Sequence, residues 1–168
     1  MKKLLIGALA TISITSAYAE IGTVDQYLEE NYKWQSDPAS LVYLNTRCAA
    51  LNASVTARFD GLNDEASINL KNQYEDTTTY FIKASLLFGT IAGVSDDALK
   101  DRGAFWSKQY SSQMYDNWIK HNLSTYGAIG DDLVACNQKV YVTVTNVVEY
   151  LHKVKDEDMI QGITLKPC

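Results

Sequence analysis

The sequence predicts an all-α protein, an antiparallel up-down-up-down four-helix bundle with a short extra N-terminal helix and an irregular C-terminal tail. Three observations carry this. Apolar residues recur at three- and four-residue spacing over long stretches. The chain holds only 2 prolines, Pro38 and Pro167. Its glycines, Gly61 and Gly93 among them, stand mostly where those stretches end.

Residues 1–19 read as a cleavable secretory signal of bacterial type. Lys2 and Lys3 form a positive start, an apolar run extends from Leu4 to about Ile14, and Ala17-Tyr18-Ala19 supplies the small residues that signal peptidase needs. The run is shorter than the ~20 residues that cross a bilayer, so no stable membrane anchor is expected after cleavage before Glu20. The expected location is the periplasm or beyond. With Lys2 and Lys3 removed, 13 of the 15 basic residues face 20 acidic ones, a net charge of −7. That sign opposes nucleic acid and anionic lipid, whose affinity comes from clustered Lys and Arg.

Residues 20–154 form the bundle domain and 155–168 the tail. A first helix follows Thr23, whose side chain forms a capping box with Gln26, and runs to about Trp34. Asp37-Pro38, an N-cap followed by proline at the first helical position, opens a second helix that ends at Gly61. Its stripe is Leu41, Leu44, Cys48, Leu51, Val55 and Phe59. A third helix starts after Asn63 and stops at Gly93, with a smaller and more polar stripe of Leu70, Tyr74, Thr78, Phe81, Ser85 and Phe88.

Ser95 caps a fourth helix that reaches about Leu123 and carries Leu99, Trp106, Tyr110, Met114 and Trp118 on one face. Phe105, Tyr115 and Ile119 lie on the other side, which predicts either a central helix or an exposed aromatic contact surface. Asp131 is expected to cap a fifth helix with the stripe Leu133, Cys136, Val140, Val144, Val147, Leu151 and Val154. Val140 to Val144 alternate as a strand would, but the helical seam outlasts the alternation.

Exported cysteines are candidates for disulfides first. Cys48 and Cys136 each occupy an apolar stripe, and a bridge between them is feasible if the loop after the fourth helix descends. Two free core thiols are the alternative. Cys168 is left over: it can pair with either, join two molecules or stay free.

Motifs for chemistry are sparse. Glu149 and His152 have the Glu-x-x-His spacing of di-iron bundles, but the helical wheel turns both to solvent and a second copy is missing. His121 shares a face with Tyr110, Met114 and Asn117 near the end of its helix, where the dipole favours a protonated imidazole. A partly buried histidine satisfied by a carbonyl or a tyrosine is the commoner explanation, and no catalytic partner stands beside it in the sequence. Asp96-Asp97 and Asp131-Asp132 are accounted for as caps and first-turn acids. No metal site or cofactor is expected. Asn52 and Asn122 match the glycosylation pattern but fall within or at the end of helices.

Two functions remain. The first is a non-enzymatic module that binds a periplasmic or envelope protein, of inhibitor, immunity or envelope-stress type, through a surface containing Trp106, Tyr110, Trp118 and His121. The second is a carrier or enzyme with a pocket inside the bundle, lined by Thr78, Ser85 and Gly89, with His121 and Tyr110 as its polar groups. The missing motifs lean against an enzyme.

Overall fold

A computed structural model describes residues 22–154. The expected leader at 1–19 and the expected tail at 155–168, with Cys168, lie outside the described residues. Thr23 and Gln26 form the expected capping box at the start of α1 (Val24–Glu30). This helix ends four residues sooner than its periodicity predicts. Asn31 turns its Nδ2 back to the Tyr27 carbonyl at 2.9 Å, and Trp34 is buried in a separate 3₁₀ turn, Trp34–Ser36. Asp37 caps α2 (Pro38–Thr56), with Pro38 in its first turn, and a 3₁₀ turn, Ala57–Phe59, extends it.

Asp64 caps α3 (Glu65–Ala92), which stops at Gly93 in the left-handed region, φ 68°. Ser95 caps α4 (Asp96–His121). The last helical rod has three parts: α5 (Ala128–Val134), a π-helical segment (Ala135–Val140) and α6 (Tyr141–Val154). Its start differs from expectation. Gly127, at φ 58°, caps it, and Asp131 lies one turn inside.

The helices bundle around α2, not α4. Fourteen of the 19 residues of α2 are buried, Ser40, Asn45, Thr46, Asn52 and Ser54 among them. Such residues read as a wet face in sequence, yet here their polar atoms are mostly turned inward onto partners: Asn45, Asn52 and Ser54 each donate to the carbonyl four residues back. Only the Oδ1 of Asn45 lacks one. α3 runs antiparallel to α2, since Leu41 shares a wall with Phe88, Thr46 meets Ser85, and Ala53 shares a wall with Thr78.

Tyr80, Phe81, Ala84, Leu87 and Phe88 supply the buried face of α3; its first turns stand clear, which leaves Leu70 of the expected stripe 43 % exposed. In α4, Leu99, Trp106, Tyr110 and Met114 are buried but Trp118 is 51 % exposed. A run of four-residue steps drifts by about 40° per step on a helix of 3.6 residues per turn, so Trp118 has rotated off the seam.

Buried Asp132, Cys136, Val140, Val144 and Val148 also follow four-residue steps, yet all stay inside. The π-helical segment holds this seam in phase: it closes at least one i→i+5 bond, Tyr141 N–H to the Cys136 carbonyl, and the wider turn cancels the drift. Val148 is therefore the core residue, and the expected Val147 only packs beside it. The side chain of Val154 is outside the described set. Cys48 and Cys136 stand at disulfide distance, Sγ to Sγ 2.03 Å and Cα to Cα 5.5 Å. One turn along, the Asn52 and Asn137 amides exchange hydrogen bonds of 3.2 and 3.3 Å.

Candidate functional site

The chain's one described buried ion pair organises the end of the molecule where α1, α2, α4 and α5 meet. Arg47 projects from the middle of α2 and Asp132 from the second turn of α5, each with a side chain 3 % exposed. Arg47 donates from Nη2 to Asp132 Oδ2 at 2.6 Å and to the Gly22 carbonyl at 2.8 Å. Its Nε donates to the Tyr110 hydroxyl at 2.7 Å and its Nη1 to the Tyr43 hydroxyl at 3.1 Å. The Trp106 ring lies 4.6 Å from the guanidinium carbon, covering a face of the cation.

Tyr110 in turn donates to Asp132 Oδ2 at 2.6 Å, and the backbone N–H of Val24 donates to Asp132 Oδ1 at 2.7 Å. That N–H is one of the orphan donors in the first turn of α1, so the carboxylate also sits where the helix dipole favours it.

Burial opposes the charge on Arg47, but Tyr110 and Asp132 beside it more than reverse the effect and raise its pKa. Burial first, and then the Asp132 charge, push the Tyr110 hydroxyl well above the ordinary tyrosine value. The cluster thus holds a charged guanidinium against a phenol that keeps its proton. Both Asp132 oxygens and the Tyr110 hydroxyl are engaged within the protein, which makes the arrangement a clamp on four elements.

A cleft of about 380 Å³ opens over this clamp, with Trp106, Tyr110 and Ile129 below and Gln113, Lys120, His121 and Tyr126 around it. Asn117 folds the turn after α4 back on itself, donating to the carbonyls of Ser124 at 3.2 Å and Tyr126 at 2.9 Å. Gly130 lets α5 start close to that turn, since a Cβ there would lie 2.7 Å from the Thr125 carbonyl. The His121 ring stacks on Tyr126 with centroids 4.0 Å apart. Tyr126 at the rim of the cleft and, outside it, Tyr115, Trp118, Ile119 and Leu123 are all more than half exposed.

The four residues singled out in the sequence are therefore divided. Trp106, Tyr110 and His121 line the cleft, the first two as buried floor, whereas Trp118 lies on the outer surface. His121 is exposed and its ring contact is Tyr126, where a partly buried histidine was expected. The expected bundle pocket is not one site: Thr78 and Ser85 line a separate cleft between α2, α3 and α4, and Leu99 covers Gly89, where a Cβ would meet it at 2.9 Å. Glu149 and His152 are exposed, as the wheel predicts, and Asn52 is buried, out of reach of glycosylation.

Arg47 and Asp132 were missed as a pair. A signal existed: Arg47 lies among Leu44, Cys48 and Leu51 on α2, and an arginine inside an apolar stripe needs a buried partner. Among the described residues no three acidic, histidine or cysteine side chains gather as a metal site, and no helix is long and apolar enough to cross a membrane.

Fold and site together define an all-α bundle with paired central cysteines and a clamped, aromatic-rimmed cleft. No protein-family model matches this chain, and no curated protein or solved structure matches it.

Proposed function

We propose that this protein is an exported, non-enzymatic binding module that docks a protein partner of the cell envelope through the end of α4 and the turn that follows. The carrying observation is the group Tyr115, Trp118 and Ile119, spaced i, i+3, i+4 on the outer face of α4, continued by Leu123 and Tyr126. Exposed aromatic residues concentrated at one place match the anchors that dominate protein interfaces. The clamp supports the same reading, because it fixes the base of this surface and spares a partner the cost of ordering it. The leader-like segment at 1–19 supports export, and the paired cysteines are compatible with it.

The test is site-specific photocrosslinking in intact cells with a benzoylphenylalanine at position 118, and at position 142 as a surface control, where Val142 is 52 % exposed. The reading expects one discrete adduct from 118 and none from 142. No adduct from 118, or the same adducts from both, overturns it.

A further inference from the structure

The cleft between α2, α3 and α4 shares no lining residue with the clamped cleft and has a different chemistry. It encloses about 560 Å³, inside the range of ~300 to 1,000 Å³ typical of small-molecule sites. No aromatic side chain lines it; Ala50, Ala53, Ile82, Leu99 and Gly103 give it an aliphatic wall, and the small residues among them, Ala50, Ala53 and Gly103, leave open the space that larger side chains would fill.

Within it, Thr46 and Ser85, each 5 % exposed, turn their hydroxyls to one another at 3.2 Å. Several other helix hydroxyls return their hydrogen to the carbonyl four residues back, as Ser54, Thr56 and Thr78 do in α2 and α3 and Thr145 does in α6. Thr46 and Ser85 do not. A pair of hydroxyls that bond each other uses one hydrogen, so the second is left without an acceptor among the described residues. A buried donor left over in an aliphatic cleft is costly unless something else accepts from it.

We propose that this cleft binds a slender aliphatic molecule carrying one uncharged hydrogen-bond acceptor, the alcohol, ester or amide end of a single alkyl chain, with the acceptor at Thr46 and Ser85. A carboxylate fits less well. The cation at the rim, Lys100, is already paired with Asp97 at 3.2 Å, and among the described residues no cationic group bonds the hydroxyl pair to offset the burial of a charge. The inference gives a ligand class to the carrier reading and is independent of partner docking at α4, whose crosslinking test it leaves untouched.

The experiment is thermal unfolding of the intact oxidised protein with 1-octanol, octane-saturated buffer or octanoate, together with NMR of the Ile and Ala methyl groups. Octanol is expected to raise the melting temperature by about 3 °C at tenfold excess over its dissociation constant, with octane and octanoate well below it. Methyl shifts are expected at Ile82 and Ala50, not at Ile119. A53L, made at an exposed rim position, should lose the octanol effect while keeping the far-ultraviolet helix signal. If A53L fails to fold, the methyl shifts of the unaltered protein decide alone. No octanol effect, equal effects of octane, or shifts elsewhere overturn the proposal.

Discussion

Arg47 and Asp132, 85 residues apart in sequence, meet at 2.6 Å with 3 % of either side chain exposed, and between them they hold the first turn of α1, the middle of α2, Tyr110 of α4 and the start of α5. Removing one partner strands the other as a buried charge. R47M or D132L is expected to cost about 3 to 5 kcal/mol in urea unfolding. The double variant R47M/D132L should lose clearly less than the two together, because no charge is left behind. Additive losses would mean that the two residues act separately.

The Tyr110 hydroxyl links that pair, and its raised pKa fixes the sign of an alkaline effect. A tyrosine that holds its proton more tightly when folded stabilises the protein below the unfolded value near 10.0; stability then falls as pH rises from there toward the folded value. Y110F should be less stable at neutral pH by about 1 to 3 kcal/mol, since Arg47 and Asp132 each lose a partner. It should also show a shallower decline above pH ~10. Tyr80, raised mainly by burial, contributes in the same direction and remains in the variant. Unfolding free energies measured from neutral to strongly alkaline pH check both parts.

The Cys48–Cys136 pair closes a loop with a sequence separation of 88 in the middle of the core. On the chain-entropy argument its removal by C48A/C136A should destabilise by about 4 to 5 kcal/mol, with some further loss of packing. N52A should add to this, because it leaves the Asn137 amide short of a partner beside the same turn. Denaturant midpoints with and without reductant provide the measurement, and a midpoint insensitive to reductant would show that the bond does not form.

Two glycines inside helices separate packing from propensity. At Gly103 an added Cβ would touch only the Thr46 methyl at an ordinary 3.9 Å, so G103A should stabilise by about 1 kcal/mol. At Gly89 the same atom would lie 2.9 Å from Leu99 Cδ1, so Leu99 has to shift and G89A should lose part or all of the gain that G103A keeps. Thermal unfolding is expected to rank G103A above G89A.

Three helix starts were legible because caps are local: Thr23, Asp37 with Pro38, and Ser95 each satisfy backbone donors within three residues, whereas Asp64, read as a first-turn acid, is itself the cap of α3. The cysteine pairing was legible because two stripes and one helix-length argument constrain it. The clamp was not. Its partners come from four elements, and an acidic Asp131-Asp132 doublet beside a glycine loop is indistinguishable in sequence from a cap. The central place of α2 was hidden for a related reason, since six of its buried residues, Arg47 among them, are polar or charged types whose burial depends on bonds made in three dimensions. The in-phase seam of the last rod was hidden because a π-helical segment, with no signature of its own, alters the period that the stripe is judged against.

The two tryptophans of α4 give the sharpest contrast between core and contact surface. Trp106 is 7 % exposed, packs on Tyr43 and Tyr110 and covers the Arg47 cation. W106A should therefore cost about 3 to 5 kcal/mol and loosen the clamp beneath it. Trp118 is 51 % exposed, so W118A should change stability by no more than about 0.5 kcal/mol. If the end of α4 is the docking surface, the ranking reverses for function: W118A and I119D, folded and stable, should lose the crosslinked partner, and V142D, folded and exposed elsewhere, should keep it. Unfolding curves fix the first ranking and adduct yield from a photoreactive residue at position 115 fixes the second. A stable W118A that keeps its partner would move the contact surface away from α4.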